Sequence, residues 1–470
     1  MKLEYVASGT SFMQLAKLKE HPEAAAVVNN MFADIFGDQP GHTFSLLYNA
    51  WAESSYGEKL SVLKPSIHNL HADSGGLQMV TLAHKLPKGT NMNDLREEVY
   101  HNQAEWSDVG MCFDEIPVIT VPNMQDVFID GKKVGQKDVG SGRNDTRFRY
   151  FDKKNRHKYA QQTADNIARQ IKVFKRNKSS CKAFMICQGG DLETYLEWVD
   201  TILTTVPKED HHRIGGVAMG GAALGTGPLE DIQKAFFASQ VPVRDENGKL
   251  HLHVLGVGSI SRIIPYLIFL HNGLYGNVHI SYDSTTHTRG VETGMYYIRG
   301  KIKEGKCVPG RSRTMNFTRS IAAESVIVGE PLEAIPDWQY DVLMKDINRV
   351  FNLNMTKERF HECLNNPTVP YMEKYGELKT WYTARTALCC VSIKNFMDEV
   401  EELINNPEKL FSTAIKHYPG KSTEDLFEVT DIESFNKWMK NYAVRFKEKK
   451  KSKSISHTKI VQTYSNIDDE

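Results

Sequence analysis

The chain is expected to be an α/β protein, a (β/α)₈ barrel of the TIM type followed by a C-terminal helical region. Three observations carry that expectation. Short apolar runs ending in Gly or a polar cluster recur along the first two thirds of the 470 residues. Segments with apolar residues at three- and four-residue intervals lie between them, and the later runs start about 30–40 residues apart, the length of a β-α unit.

The runs are Ile67–Ala72, Val109–Phe113, Ala183–Cys187, Ile214–Met219, Leu252–Val257 and Asn277–Tyr282. Their length and β-branched content predict buried strands. Tyr159–Phe174 carries Ala160, Ala164, Ile167, Ile171 and Phe174 on one face and predicts a helix; Asp191–Leu203 and Ser259–Leu270 share the same pattern. The barrel is taken to span 1–345. Residues 346–444 form the helical region, with Tyr371–Asn395 and Phe396–Ile404 as helices, and 445–470 form a basic tail. Between Arg445 and Lys459 seven Lys/Arg face one acid, Glu448. That stretch reads as solvated chain, with contact to phosphates as the alternative.

Composition narrows the function. Hydrophobic residues at 40% and aromatics at 10% supply a core and exclude a disordered chain. Lys+Arg and Asp+Glu balance at 58 each, so no global basic field exists, and a polyanion must be met locally. Seven thinly spread cysteines read as reduced thiols, and Cys112 and Cys187, inside apolar runs, as buried small hydrophobes. The N-terminus lacks a basic segment followed by an apolar one. The most apolar stretch, Val254–Leu270, is interrupted by Gly256, Gly258, Arg262 and Pro265. A soluble cytoplasmic protein without membrane contact is expected.

The residues just after each run carry the chemistry. Asp73, Asp114, Gln188, Gly220-Gly221, Gly256-Val-Gly258 and Asp283 all fall at strand C-terminal ends, where barrel enzymes hold their sites. A lone Asp after a strand reads first as a helix N-cap or turn residue; six polar strand ends in register point to a site. Paired carboxylates on facing loops can cleave a glycosidic bond, one attacking the anomeric carbon and the other moving protons. The turn Ser74-Gly75-Gly76 lets backbone approach a ligand. Gly256-Val-Gly258-Ser-Ile-Ser261 nearly matches a dinucleotide fingerprint but reads as a turn. His68, His71, His251 and His253 read as satisfied core or loop histidines.

Five motifs carry a family resemblance. Asp73-Ser-Gly-Gly-Leu-Gln78, Ser107-Asp-Val-Gly-Met-Cys-Phe-Asp-Glu115, Cys187-Gln-Gly-Gly190, Gly216-Val-Ala-Met-Gly-Gly-Ala-Ala-Leu-Gly225 and Val254-Leu-Gly-Val-Gly258 resemble, in order, the signature motifs of the tRNA-guanine transglycosylase superfamily. The resemblance covers 65–295 and implies a (β/α)₈ enzyme that exchanges guanine in a polynucleotide for a 7-deazaguanine. It implies Asp283 as nucleophile on C1′ and Asp73 as general acid/base. Asp114 would then read the N1–H and amine of a guanine-like edge, with Gln188 and Gly221 facing O6. Ser74, Gly75, Gly220 and Ala222 would line the pocket, and Arg289 stands where the family has an arginine.

The departures from the family pattern are as informative. Where that pattern holds a structural zinc, its spacing falls on Cys363, Asn365, Thr368 and Lys394. Asn, Thr and Lys cannot supply soft deprotonated donors, so the zinc is expected to be absent, with a rebuilt site from His361, Cys363 and Cys389 or Cys390 as the alternative. No other cofactor is expected. Leu77 and Leu255 replace an aromatic and a methionine that sandwich the base, and Glu292 stands near the place of a second arginine. These losses concern the polynucleotide more than the bond chemistry. The chain is therefore most similar to phage-type DNA 7-deazaguanine transglycosylases, whose products resist restriction. A tRNA enzyme and a non-catalytic binding subunit are the alternatives; the retained Asp73, Asp114 and Asp283 argue against the latter.

Overall fold

The computed structural model describes residues 2–9, 22–37, 41–76, 89–120, 124–129, 132–138, 149–152, 154–220, 227–292, 295–303, 306–308, 313–316, 337–351, 354–359, 380–418, 420–444 and 446. Among the described residues, eight barrel strands alternate with helices. They are β1 (Lys2–Ser8), α1 (Pro22–Phe36), β2 (His42–Asn49), α2 (Ser55–Ser61), β3 (Leu70–Asp73), α3 (Met92–Trp106), β4 (Val109–Met111) and α4 (Arg156–Arg176). The second half continues with β5 (Lys182–Cys187), α5 (Leu192–Thr205), β6 (Ile214–Met219), α6 (Pro228–Ser239), β7 (Leu250–Val254), α7 (Ile260–His271), β8 (Val278–Ser284) and α8 (Thr286–Glu292). Each strand pairs in parallel with the next, and β8 closes on β1, with Glu4 opposite Ser281 and Val6 opposite Asp283. The chain is a (β/α)₈ barrel with further helices after it.

All six strands predicted from apolar runs are present, with shifted ends. β7 starts two residues earlier than expected, and Asp283 lies within β8 rather than after it. Two strands escaped the sequence reading. In β1 the apolar Leu3 and Tyr5 alternate with Glu4, and in β2 Phe44, Leu46 and Tyr48 alternate with Thr43, Ser45 and Leu47. These strands turn an apolar face outward, where Phe36 stacks on Phe44 at 4.0 Å and Tyr5 meets Phe396 edge-on at 6.0 Å. Their interior face is polar, so neither presents a continuous apolar run.

The interior holds a buried hydrogen-bonded core. Glu4 Oε1 meets His71 Nε2 at 2.8 Å and accepts from Asn69 Nδ2 at 3.0 Å, and Glu4 Oε2 meets His279 Nε2 at 2.7 Å. Ser45 donates to Glu4 as well. Burial opposes the charge on Glu4, but the two imidazoles outweigh it and hold this carboxyl well below the usual range. A buried carboxylate with this many donors satisfies the rule that buried charge be paired and hydrogen-bonded.

Beyond the barrel strands, Met124–Ile129 pairs with Lys132–Asp138, Val118–Thr120 with Arg149–Phe151, Met295–Ile298 with Arg313–Asn316 and Lys301–Lys303 with Lys306–Val308, all antiparallel. Helices α9 (Asp337–Phe351), α10 (Thr380–Asn405) and α11 (Pro407–His417) come next. The two helices expected over 371–404 are one continuous α10 where described, because no Gly or Pro interrupts Thr380–Asn405. Contacts group the chain into two compact units. The first comprises 1–223, 243–258 and 277–401 and holds all eight barrel strands; the second comprises 224–242, 259–276 and 402–470. Inside the second unit Phe236 stacks on Phe435 at 3.7 Å, Tyr275 Oη donates to the Ala235 carbonyl at 2.7 Å and Trp438 Nε1 donates to that of Ser422 at 2.7 Å. The basic run 445–459 lies outside the described residues, save Phe446. Among the described residues no helix is long and apolar enough to cross a membrane.

Candidate active site

The C-terminal ends of β3, β4, β5 and β8 bring four of the predicted side chains to one mouth of the barrel. Asp73 is the last residue of β3. Buried amides fix the neighbouring strand ends: Gln103 Nε2, from α3, donates to the carbonyls of Ala72 at 3.2 Å and Met111 at 2.9 Å, and Gln170 Nε2, from α4, donates to Gln103 Oε1 at 2.7 Å. Helix α4 also pins the loop that carries Asp114. Asn166 Nδ2 donates to the Phe113 carbonyl at 2.9 Å, and the Glu115 N–H donates to Thr163 Oγ1 at 2.9 Å. Two hydrogen bonds from α4 thus hold the loop on either side of Asp114, the support that a binding residue needs.

Asp114 is 6% exposed. Its Oδ2 accepts from Gln188 Nε2 at 2.9 Å, which leaves the second hydrogen of that amide for a ligand. Burial, offset in part by Gln188 and reinforced by the charge of Asp73, pushes Asp114 up to about 7. Two glycines make room around this pair. A Cβ at Gly76 would lie 2.4 Å from Asp114 Oδ1, and one at Gly220 would lie 2.2 Å from Gln188 Nε2, so neither position admits a side chain without displacing the polar pair.

Asp73 and Asp283 have contrasting surroundings. Burial, reinforced by the negative charge of Asp283, pushes Asp73 up to about 6, against the opposing hydrogen bonds of Ser74 and Gly75. Asp283 Oδ1 accepts the Gly256 N–H at 2.7 Å and lies 3.5 Å from His253 Nε2. One carboxyl is thus eased toward its acid form while the other is anchored by a backbone donor, the division of labour that a proton donor and a carboxylate nucleophile need. An Asp does cap helix α5, where the Asp191 side chain accepts the Thr194 N–H at 2.9 Å.

The other predicted residues are spread along the strand-end turns and the later helices. Ser74 is fully buried and its Oγ accepts the Gly76 N–H at 3.4 Å, and Gly75 turns the chain at φ +80°. Leu255 is half-buried in the turn after β7. Arg289 lies on α8. Leu77, Gly221 and Ala222 lie outside the described residues, as do His361, Cys363, Asn365 and Thr368. Cys389 and Cys390 are buried, with Cys389 Sγ 3.7 Å from the Thr288 carbonyl, and Lys394 pairs with Asp398.

Sequence reasoning left the histidines as core residues, and for His71 on Glu4 and His251 on Asp245, 2.9 Å apart, that holds. It missed Glu4, His279 and the place of His253 beside Asp283. The signal was the period-two pattern His251-x-His253 beside His279-x-Ser281-x-Asp283, which turns all five side chains to one strand face. Among the described residues, Glu4, His68 and His279 have ligand atoms within 4.8 Å of one another and could hold a metal ion. Both oxygens of Glu4 are already engaged by protein donors, and a metal there would have to displace them. No protein-family model and no curated protein matches the chain.

Proposed function

We propose that the protein is a base-exchange transglycosylase that replaces guanine in DNA with a 7-deazaguanine through a covalent glycosyl-aspartate. The observation that carries this reading is the pair Asp73 and Asp283 at one barrel mouth, the first lifted to about 6 and the second anchored by the Gly256 N–H. Asp283 attacks C1′ as the C1′–N9 bond breaks, and the proton of Asp73 passes to the departing guanine. The incoming base then gives its N9 proton to Asp73 and attacks C1′, which frees the Asp283 carboxylate.

Asp114 and Gln188 supply selectivity. An ionised Asp114 accepts from N1–H and the exocyclic amine, a donor pair that adenine lacks, while the spare hydrogen of Gln188 Nε2 suits O6. In duplex DNA the target base must leave the stack at a cost of a few kcal/mol. The choice of DNA over tRNA rests on the sequence: only Cys363 of the four zinc-ligand positions is a ligand type. The test is to incubate the protein with radiolabelled guanine and, separately, duplex DNA and bulk tRNA. Label in DNA is expected. Label in tRNA alone would make this a tRNA enzyme, and label in neither would favour a non-catalytic relative and overturn the proposal.

A further inference from the structure

We propose that His253 is a positioning residue that holds Oδ1 of Asp283 and leaves Oδ2 as the attacking atom, an inference that rests on reading Asp283 as the nucleophile. His253 is fully buried on β7, facing Ser281 across the β7–β8 ladder. Its Nδ1 lies 2.9 Å from Ser281 Oγ, and Ser281 Oγ lies 3.3 Å from the Leu252 carbonyl. Ser281 Oγ can donate to Nδ1 or accept from it, with the Leu252 carbonyl as its other partner. The tautomer is therefore set at the other ring nitrogen, where a proton on Nε2 leaves Nδ1 to accept from Ser281.

The alternative tautomer makes the same point by its cost. With the proton on Nδ1, a bare Nε2 lone pair would face Asp283 Oδ1 at 3.5 Å, two acceptors opposed in a buried site. Among the described residues Nε2 makes no hydrogen bond, and it faces Asp283 Oδ1 at 3.5 Å, a separation that a small movement of Asp283 closes. Oδ1 then has two donors on one side, the Gly256 N–H and the His253 N–H. In the covalent intermediate Oδ1 becomes the ester carbonyl oxygen. When the incoming base attacks C1′, the C1′–Oδ2 bond breaks and its electron pair returns to the carboxylate, where both donors stabilise the growing charge.

Two amide variants separate this role from a merely structural one. The nitrogen of Asn reaches only the position of Nδ1, whereas that of Gln reaches the position of Nε2. His253→Asn keeps a partner for Ser281 and loses the donor to Asp283; His253→Gln keeps the donor to Asp283. We expect His253→Asn to slow single-turnover release of the preformed adduct by an incoming 7-deazaguanine by at least ~10-fold with KM unchanged, and His253→Gln to recover most of the rate. Equal rates in the two variants, or a wild-type rate in His253→Asn, would overturn the proposal. The tautomer is read without any substrate by NMR of the full chain labelled with ¹⁵N-histidine, using His253→Asn to assign the signal. A protonated Nε2 whose signal moves in Asp283→Ala is expected, and a bare Nε2 would overturn the assignment whether or not exchange occurs. If Nε2 carries its proton but the wild-type protein exchanges no base in any polymer, the proposed function fails and the His253–Asp283 contact stands.

Discussion

Asp114→Asn should make the protein more stable and less able to bind guanine, two effects of opposite sign from one atom change. Burial and the charge of Asp73 raise Asp114 from its ordinary 3.8 to about 7. The folded state thus favours the protonated acid. The stability that Asp114 contributes is complete below pH ~4 and is lost as pH rises to about 7. At ~1.4 kcal/mol per tenfold change in proton affinity, ionising Asp114 in the fold costs about 4 kcal/mol at pH 8. Asn does not ionise, and its oxygen can still accept from Gln188 Nε2. A gain of ~1–4 kcal/mol at pH 8 is expected, shrinking by at least half at pH 5. Urea denaturation followed by circular dichroism at the two pH values measures it. Guanine affinity, by equilibrium dialysis, should fall by about 1–3 kcal/mol, because a carboxylate oxygen that met an N–H is replaced. A variant less stable than wild type at pH 8, or one with unchanged guanine affinity, would show that Asp114 is a structural group rather than a ligand for the base.

Asp73→Asn should lower the single-turnover rate of guanine release by about 10²–10⁴-fold. In wild type the same step should peak between pH 6 and 7, since Asp73 loses its proton above about 6 and Asp114 gains one below about 7; a profile flat from pH 5 to 9 would refute both roles. Glu4→Gln should destabilise the protein by about 3–5 kcal/mol at pH 7, because His71 and His279 lose their shared carboxylate. Glu4 is depressed in the fold, so its contribution is present above the ordinary carboxylate range and vanishes as pH falls through its folded value, and the variant should show a shallower acid limb in urea titrations. Zinc should be absent from the purified protein by elemental analysis; near-stoichiometric zinc lost on mutating Cys363 would favour the tRNA reading.

The barrel was most legible in the sequence where a strand is apolar on both faces. Lys182–Cys187 and Ile214–Met219 are runs of this kind and stand as expected, and β7 and β8 were read although His253, His279 and Ser281 face the polar interior. Lys2–Ser8 and His42–Asn49 were hidden because Glu4 and Ser45 face a polar interior, which the usual expectation of an aliphatic barrel core does not anticipate. The site aspartates were legible because strand ends place them, and the motifs fixed their order. His253 was not, since a buried histidine has the same sequence signature whether it faces a nucleophile or a serine. Its significance came from a ring nitrogen that makes no hydrogen bond among the described residues and lies 3.5 Å from Asp283, a fact of three dimensions.

The claim that Asp283 forms a glycosyl ester is tested most directly by trapping it. The full-length protein is incubated with a guanine-containing DNA oligonucleotide, quenched in acid and digested, and the peptides are mapped by mass spectrometry. The account predicts a sugar-linked adduct on the peptide containing Asp283, lost in Asp283→Ala and released on adding a 7-deazaguanine. An adduct on another residue, or one that persists in Asp283→Ala, would contradict it.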